Sequence, residues 1–260
     1  MIDSLTLKTV KNHFQRGSNI LRKLFMTQAS ARGVKVEGNS LNGGALVRSF
    51  ISARKCRDNH DRYITQVRKP QSRCAFSFAI DFSGSMNAPA TRKHDSFLGH
   101  ASSWERVIAT IHGMTNVAET IGIKSKVGFI QFGQDKEFMV NVIKDFEQKS
   151  WSDEQASKVS NLRCDDGTDI SLYARASIYM LESIEAEHKV AFFLTDGCDY
   201  SFQYYARSLN ELAKSKGIKL VGIAFADKST DVSYFPNGVA CTDVKELGQV
   251  IYKHLESLMG

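Results

Sequence analysis

From Cys74 onward, apolar residues follow two rhythms that take turns along the chain. Short runs are almost wholly apolar: Cys74 to Ile80, Val190 to Leu194 and Leu220 to Phe225. Runs of that length suit strands of a parallel sheet covered on both faces. Between them, apolar residues recur at three-and-four spacing, the mark of helices with one buried face. Trp104, Val107, Ile108, Ile111, Met114, Ala118 and Ile121 form one such stripe. Others run from Ile170 through Tyr173 to Ile184, from Phe202 to Leu212 and from Val244 to Leu258. Val127 to Phe132 and Glu137 to Ile143 read as two strands joined by a turn at Gly133 to Lys136. Strand alternating with helix predicts an α/β fold, a doubly wound and mostly parallel sheet flanked by helices. Residues 1–73 are less regular. Leu5 to Phe25 predicts one or two helices, Gly43 to Lys55 a short helix, and Tyr63 to Arg68 an edge strand stopped by Pro70.

Composition sharpens this picture. Of 260 residues, 42% are hydrophobic, 24% charged and only three are proline, which excludes collagenous, mucin-like and disordered classes. No apolar run approaches the roughly 18 residues of a membrane span. Asp3, Lys8, Lys11 and His13 interrupt the first residues, so a signal-peptide apolar region is not expected and a soluble, cytoplasmic protein is. Cys56, Cys74, Cys164, Cys198 and Cys241 are scattered without a C-x-x-C pair, which suits a reduced compartment. Charge is divided unevenly. Residues 1–73 carry 15 Lys and Arg against 4 Asp and Glu, a net +11, whereas the rest of the chain is at −5. This sets an expected boundary between a basic, mainly helical N-terminal extension (1–73) and an α/β domain (74–260).

Ligands of parallel α/β sheets gather at the carboxyl ends of strands. Two strands here end at carboxylates, in Asp81-Phe82-Ser83-Gly84-Ser85-Met86 and in Thr195-Asp196-Gly197. If the strands are neighbours, Asp81 and Asp196 face one crevice. Asp165-Asp166-Gly167-Thr168-Asp169 lies between them in sequence and leads into a helix. Asp81, Asp196, Ser83, Ser85 and Thr168 make an all-oxygen donor set, which suits Mg²⁺ or Mn²⁺ better than zinc. Five side chains leave a position for an external oxygen, and two carboxylates leave the ion electrophilic enough to attract a third from a partner. Gly84 is expected to let the backbone bend closely around the ion. The plainer alternative is that Asp81 and Ser83 only cap a turn. Asp165, Asp166 and Asp169 read as turn and helix-start residues.

These residues carry a resemblance. Residues 74–260 resemble a von Willebrand factor A domain, and Asp81, Ser83, Ser85, Thr168 and Asp196 match its metal-ion-dependent adhesion site. The resemblance implies that Ser83 and Ser85 ligate directly and that some of the others alternate between direct and water-mediated contact. A basic run, the Gly43-Gly44-Ala45-Leu46 helix start, an aromatic-basic strand and then D-x-S-G-S-M are similar to the carboxyl-terminal region of the cobaltochelatase T-type subunit. That resemblance implies a non-catalytic partner of a MoxR-type AAA+ ATPase. The D-D-G-T-D loop is closer to other A domains, and the expected relative is a stand-alone one.

Two further classes compete. A haloacid-dehalogenase-like phosphohydrolase needs D-x-D, its second Asp being the general acid, and Ser83 holds that position. Gly128 to Gly133 has P-loop spacing, but Gln134 and Asp135 stand where Lys and Ser or Thr are needed. The chain is therefore expected to be no enzyme itself. Nucleic-acid binding through the basic segment is the other alternative, although no RRM, KH or zinc-finger motif supports it. A solvated basic face and docking onto an acidic protein are the remaining readings of that segment.

Overall fold

A computed structural model of the chain describes residues 2, 6–12, 14, 40–41, 64–65, 74–88, 101–120, 122–132, 138–197, 199, 201–225, 231–241 and 249–250. The chain forms two compact units, residues 1–22 with 72–260, and residues 23–71. In the smaller unit, β1 (Ser40–Leu41) and β2 (Ile64–Thr65) pair antiparallel. The proposed helices at Gly43 to Lys55 and Val244 to Leu258 lie largely outside the described residues, as do Cys56 and Cys198.

The larger unit is built on six strands: β3 (Cys74–Ile80), β4 (Lys124–Phe132), β5 (Phe138–Lys144), β6 (His188–Thr195), β7 (Ile218–Phe225) and β8 (Val239–Cys241). Their order across the sheet is β5-β4-β3-β6-β7-β8. All neighbours are parallel except the β4–β5 hairpin. The chain thus winds outward from β3 in one direction and then returns to build the other side from β6. This is the doubly wound arrangement that the alternation of runs and stripes predicts. Its switch point lies between β3 and β6, where crossover loops diverge and leave a crevice.

Helices α2 (Ser103–Thr120), α4 (Ile170–Met180) and α5 (Phe202–Ser215) cover the sheet, and α3 (Asp153–Ser160) packs against α2. Every residue of β3 is buried, because both faces are covered. Ala75, Ser77 and Ala79 face α4, and Ser77 Oγ donates to the Ser177 carbonyl at 2.5 Å. On the opposite face Phe78 stacks on Phe192 with centroids 5.1 Å apart. There Trp104 of α2 meets Phe82 and Phe129 edge-on.

Two elements escaped the periodicity. Helix α3 buries only Ala156 and Ser160, so it has almost no apolar stripe. Its signal is a capping box: Ser152 accepts from the Gln155 N–H, and the Gln155 side chain accepts from the Ser152 N–H. Strand β8 is only three residues long. The helical segment 6–12, labelled α1, belongs to the larger unit. It buries Leu7, Val10 and, just beyond, Phe14. The contact exists because Gly113 of α2 has no side chain: a Cβ there would stand 2.9 Å from Phe14 Cδ2 and 3.2 Å from Val10 Cγ1. Ser157 Oγ also donates to the Ile2 carbonyl at 3.0 Å.

Candidate functional site

Asp81 and Asp196 each sit one residue beyond the ends of paired strands β3 and β6, at the switch point. The Asp81 N–H still donates to the Leu194 carbonyl at 2.9 Å, so the ladder runs into the site. Asp81 is fully buried. One carboxylate oxygen accepts from the Ser83 N–H at 2.7 Å and the other from Thr195 Oγ1 at 2.6 Å. Burial pushes its pKa up, and these hydrogen bonds oppose the rise.

From the Ser83 hydroxyl a chain of oxygens crosses the crevice. Ser83 Oγ lies 3.0 Å from Ser85 Oγ, and Ser85 Oγ donates to Asp196 Oδ1 at 2.8 Å. Residues Gly84–Asn87 form a 3-10 turn that aims both hydroxyls to one side. Burial, with the charge of Asp81 adding to it, raises the Asp196 pKa to about 6, against the pull of the Ser85 hydrogen bond. Neither carboxylate pairs with a basic side chain among the described residues.

The Thr168 loop is brought alongside. Ser83 and Asp166 form an isolated parallel bridge, with Gly84 N–H donating to the Asp166 carbonyl at 3.0 Å and Asp166 N–H to the Phe82 carbonyl at 3.3 Å. The Asp166 carboxylate accepts from Phe132 N–H at 3.3 Å. Asp169 caps α4 by accepting from the N–H groups of Ser171 and Leu172. Both aspartates thus have structural work, as turn and helix-start residues. Thr168 lies between them, exposed, and its hydroxyl makes no hydrogen bond among the described residues.

Three neighbours of the site were not singled out by the sequence motifs. Thr195 holds Asp81. Tyr173, read as plain core, donates to the Gly167 carbonyl at 3.0 Å, and its hydroxyl's pKa is raised by burial and by the charge of Asp81. Asn87 spans both loops, donating to the Gly84 carbonyl at 3.1 Å and to the Cys164 carbonyl while accepting from the Cys164 N–H at 3.1 Å. The contacts of Thr195 and Asn87 run across the fold, which residue spacing does not encode. The expectation for Gly84 needs correction. A Cβ there would meet no atom within 4 Å, and no left-handed φ requires glycine. Cys164 is buried, and burial together with Asp81 and Asp196 pushes its thiol up to about 12, so it stays neutral.

The donor set fits a hard divalent cation. In an octahedron with bonds of 2.0–2.1 Å, neighbouring oxygens stand about 2.9 Å apart. The Ser83–Ser85 and Ser85–Asp196 separations of 3.0 and 2.8 Å are of that size. Among the described residues no cluster of three or more His, Cys, Asp or Glu is placed to hold an ion, so a metal here would rest on two carboxylates and hydroxyls.

No protein-family model matches the chain, and no curated protein sequence does. Solved structures do. The PilB minor pilin from Streptococcus sanguinis superposes with a TM-score of 0.53 at 15% identity, over 78% of this chain and 66% of the pilin. A single-substitution mutant of the same pilin gives 0.52 at 17% identity, over 76% and 64%. The manganese-loaded Plasmodium vivax TRAP protein gives 0.48 at 15% identity, over 70% and 72%. The chain therefore spans just under two thirds of the pilin's length. The likeness is one of fold alone: a doubly wound, mostly parallel α/β sheet flanked by helices. No helix among the described residues is long and apolar enough to cross a membrane.

Proposed function

We propose that the chain is a divalent-cation-dependent protein-interaction module. Asp81, Ser83, Ser85, Thr168 and Asp196 hold Mg²⁺ or Mn²⁺ in the manner of a metal-ion-dependent adhesion site, and a partner carboxylate completes the shell. The observation that carries this reading is the set of contacts at the switch point: Asp81 accepts from the Ser83 N–H, and the hydroxyls of Ser83 and Ser85 lead on to Asp196. Two buried or half-buried carboxylates without a basic partner among the described residues favour a bound cation, because burial penalises each negative charge. Hydroxyls between them supply ligands without adding charge, which keeps the ion attractive to an outside carboxylate.

The partner supplies a Glu or Asp, and a MoxR-type AAA+ ATPase is the companion that the cobaltochelatase-like motif order suggests. The chain then acts as a non-catalytic subunit, and any ATP hydrolysis belongs to the partner. Calorimetric titration of the full chain with Mg²⁺ and Mn²⁺ tests the site. Binding in wild type and its loss in Ser85→Ala and Asp196→Asn, with the circular dichroism spectrum retained, is expected. Equal affinity in all three proteins would refute the metal reading. Capture of a partner from native extract that persists in EDTA would move the interface elsewhere.

A further inference from the structure

We infer that Asn87 is a positioning residue for this site: its carboxamide locks the Thr168 loop to the Ser83–Ser85 turn and thereby sets cation affinity. The inference rests on the metal reading above.

Asn87 closes the 3-10 turn that carries Ser85. Its side chain behaves like one more peptide group. The oxygen accepts from the Cys164 N–H at 3.1 Å, while the nitrogen donates to the Cys164 carbonyl and, at 3.1 Å, to the Gly84 carbonyl. The residue is exposed, yet its amide is committed to backbone on two loops that lie 77 positions apart. Only a carboxamide of this length satisfies both polarities. Aspartate has the shape but would turn an acceptor toward two carbonyls, and alanine bonds to neither loop.

The consequence falls on Thr168. Cys164 is fixed by Asn87, and Asp166 is fixed to Phe82, Gly84 and Phe132. Gly167 is held by Tyr173 Oη, and Asp169 is fixed as the cap of α4. Thr168 itself makes no hydrogen bond among the described residues, so its position relative to the serine turn is set by these neighbours. Asn87 is the side chain that ties the entry of this loop to the serine turn. Side chains that orient metal ligands from behind commonly cost 10–100-fold in affinity when removed.

The experiment is Mn²⁺ titration calorimetry on the full chain, with Asn87→Ala and Asn87→Asp made alone and in a Thr168→Ala background. We expect each Asn87 variant to weaken Mn²⁺ by about tenfold. With Thr168 already removed, the further loss should be under about twofold, since coupled residues are not additive. Asn87→Asp separates positioning from charge: a merely electrostatic role for this residue would make the added carboxylate tighten binding. Amide hydrogen exchange gives a second readout without metal, and faster exchange at Cys164 and Asp166 in Asn87→Ala is expected, with the unfolding midpoint unchanged. Undiminished affinity in Asn87→Ala, tighter binding in Asn87→Asp, or an equal loss with and without Thr168 would overturn the proposal. So would unchanged exchange at those amides. If the wild type itself bound no Mn²⁺, the metal reading would fall, and the exchange data would still show whether Asn87 locks the loop.

Discussion

Asp196 illustrates how a single side chain links the site to pH. Its pKa in the folded protein is raised from 3.8 to about 6, first by burial and then by Asp81. A carboxyl group of this kind favours the folded state when protonated. That stability is complete below the unfolded value near 3.8 and is lost as pH rises through about 6. The metal-free protein is therefore expected to gain from Asp196→Asn at pH 7, by at most about 3 kcal/mol, and to gain almost nothing at pH 4. Thermal melts of both proteins in EDTA at the two pH values check this. Cation binding runs the other way, since the ion must displace the proton. Mn²⁺ affinity should be flat above pH 7 and fall by about tenfold per pH unit well below pH 6, as measured by calorimetry. Asp81, Ser83, Ser85 and Asp196 were legible at this scale because strand-end carboxylates and alternating serines form a local pattern. The roles of Thr195 and Asn87 were not, because their partners are 114 and 77 positions away and are chosen by packing.

At the scale of elements, the sheet was readable wherever burial covered both faces of a strand or one face of a helix. The apolar runs became β3, β6 and β7, and the stripes became α2, α4 and α5. Helix α3 was silent because its cap, and not its buried face, defines it. The seat of α1 depends on a missing side chain at Gly113. Gly113→Val should force Phe14 and Val10 apart and lower stability by about 1–3 kcal/mol, the usual cost of overpacking. Urea unfolding, with proteolysis of the N-terminal segment as a second probe, reads this out. A different element contact holds the base of the β4–β5 hairpin. Lys144 Nζ is buried and donates to Glu119 Oε1 at 2.7 Å and to the Ser125 carbonyl at 2.8 Å. Burial lowers the lysine's pKa, and Glu119 opposes that shift. Glu119→Ala leaves the ammonium without its carboxylate and should cost about 3–5 kcal/mol in a denaturant titration. Replacing both residues with apolar side chains of similar volume should restore much of that loss.

The whole molecule is electrically divided. The first 73 residues are at +11 and the remainder at −5, so the two stretches of sequence differ in the charge they bring to a partner. Charges of this sort act on encounter rate over the 8–10 Å that physiological salt allows, whereas a metal-bound carboxylate acts on residence time. Once a partner is in hand, reversal of Arg54, Lys55 and Arg57 should slow association and flatten its salt dependence, with little change in the off-rate. Ser83→Ala should raise the off-rate instead. Surface plasmon resonance at two ionic strengths separates the two outcomes.

The strand order also governs how the chain comes into being. β3 is made early, yet one of its edges waits for β4, about 50 positions later, and the other for β6, where Cys74 pairs with His188. Pairings this far apart in sequence are slow to form. During synthesis, β3, β4 and β5 can assemble first and shelter one edge of the almost wholly apolar β3. The other edge stays open until β6 has left the ribosome, and a nascent chain with such an edge is prone to associate with others. Asp81 and Asp196 belong to opposite sides of that interval. Chains truncated before β6 should therefore take up no cation however long they are incubated with it, and stalled ribosomes carrying them should be the ones that recruit chaperones.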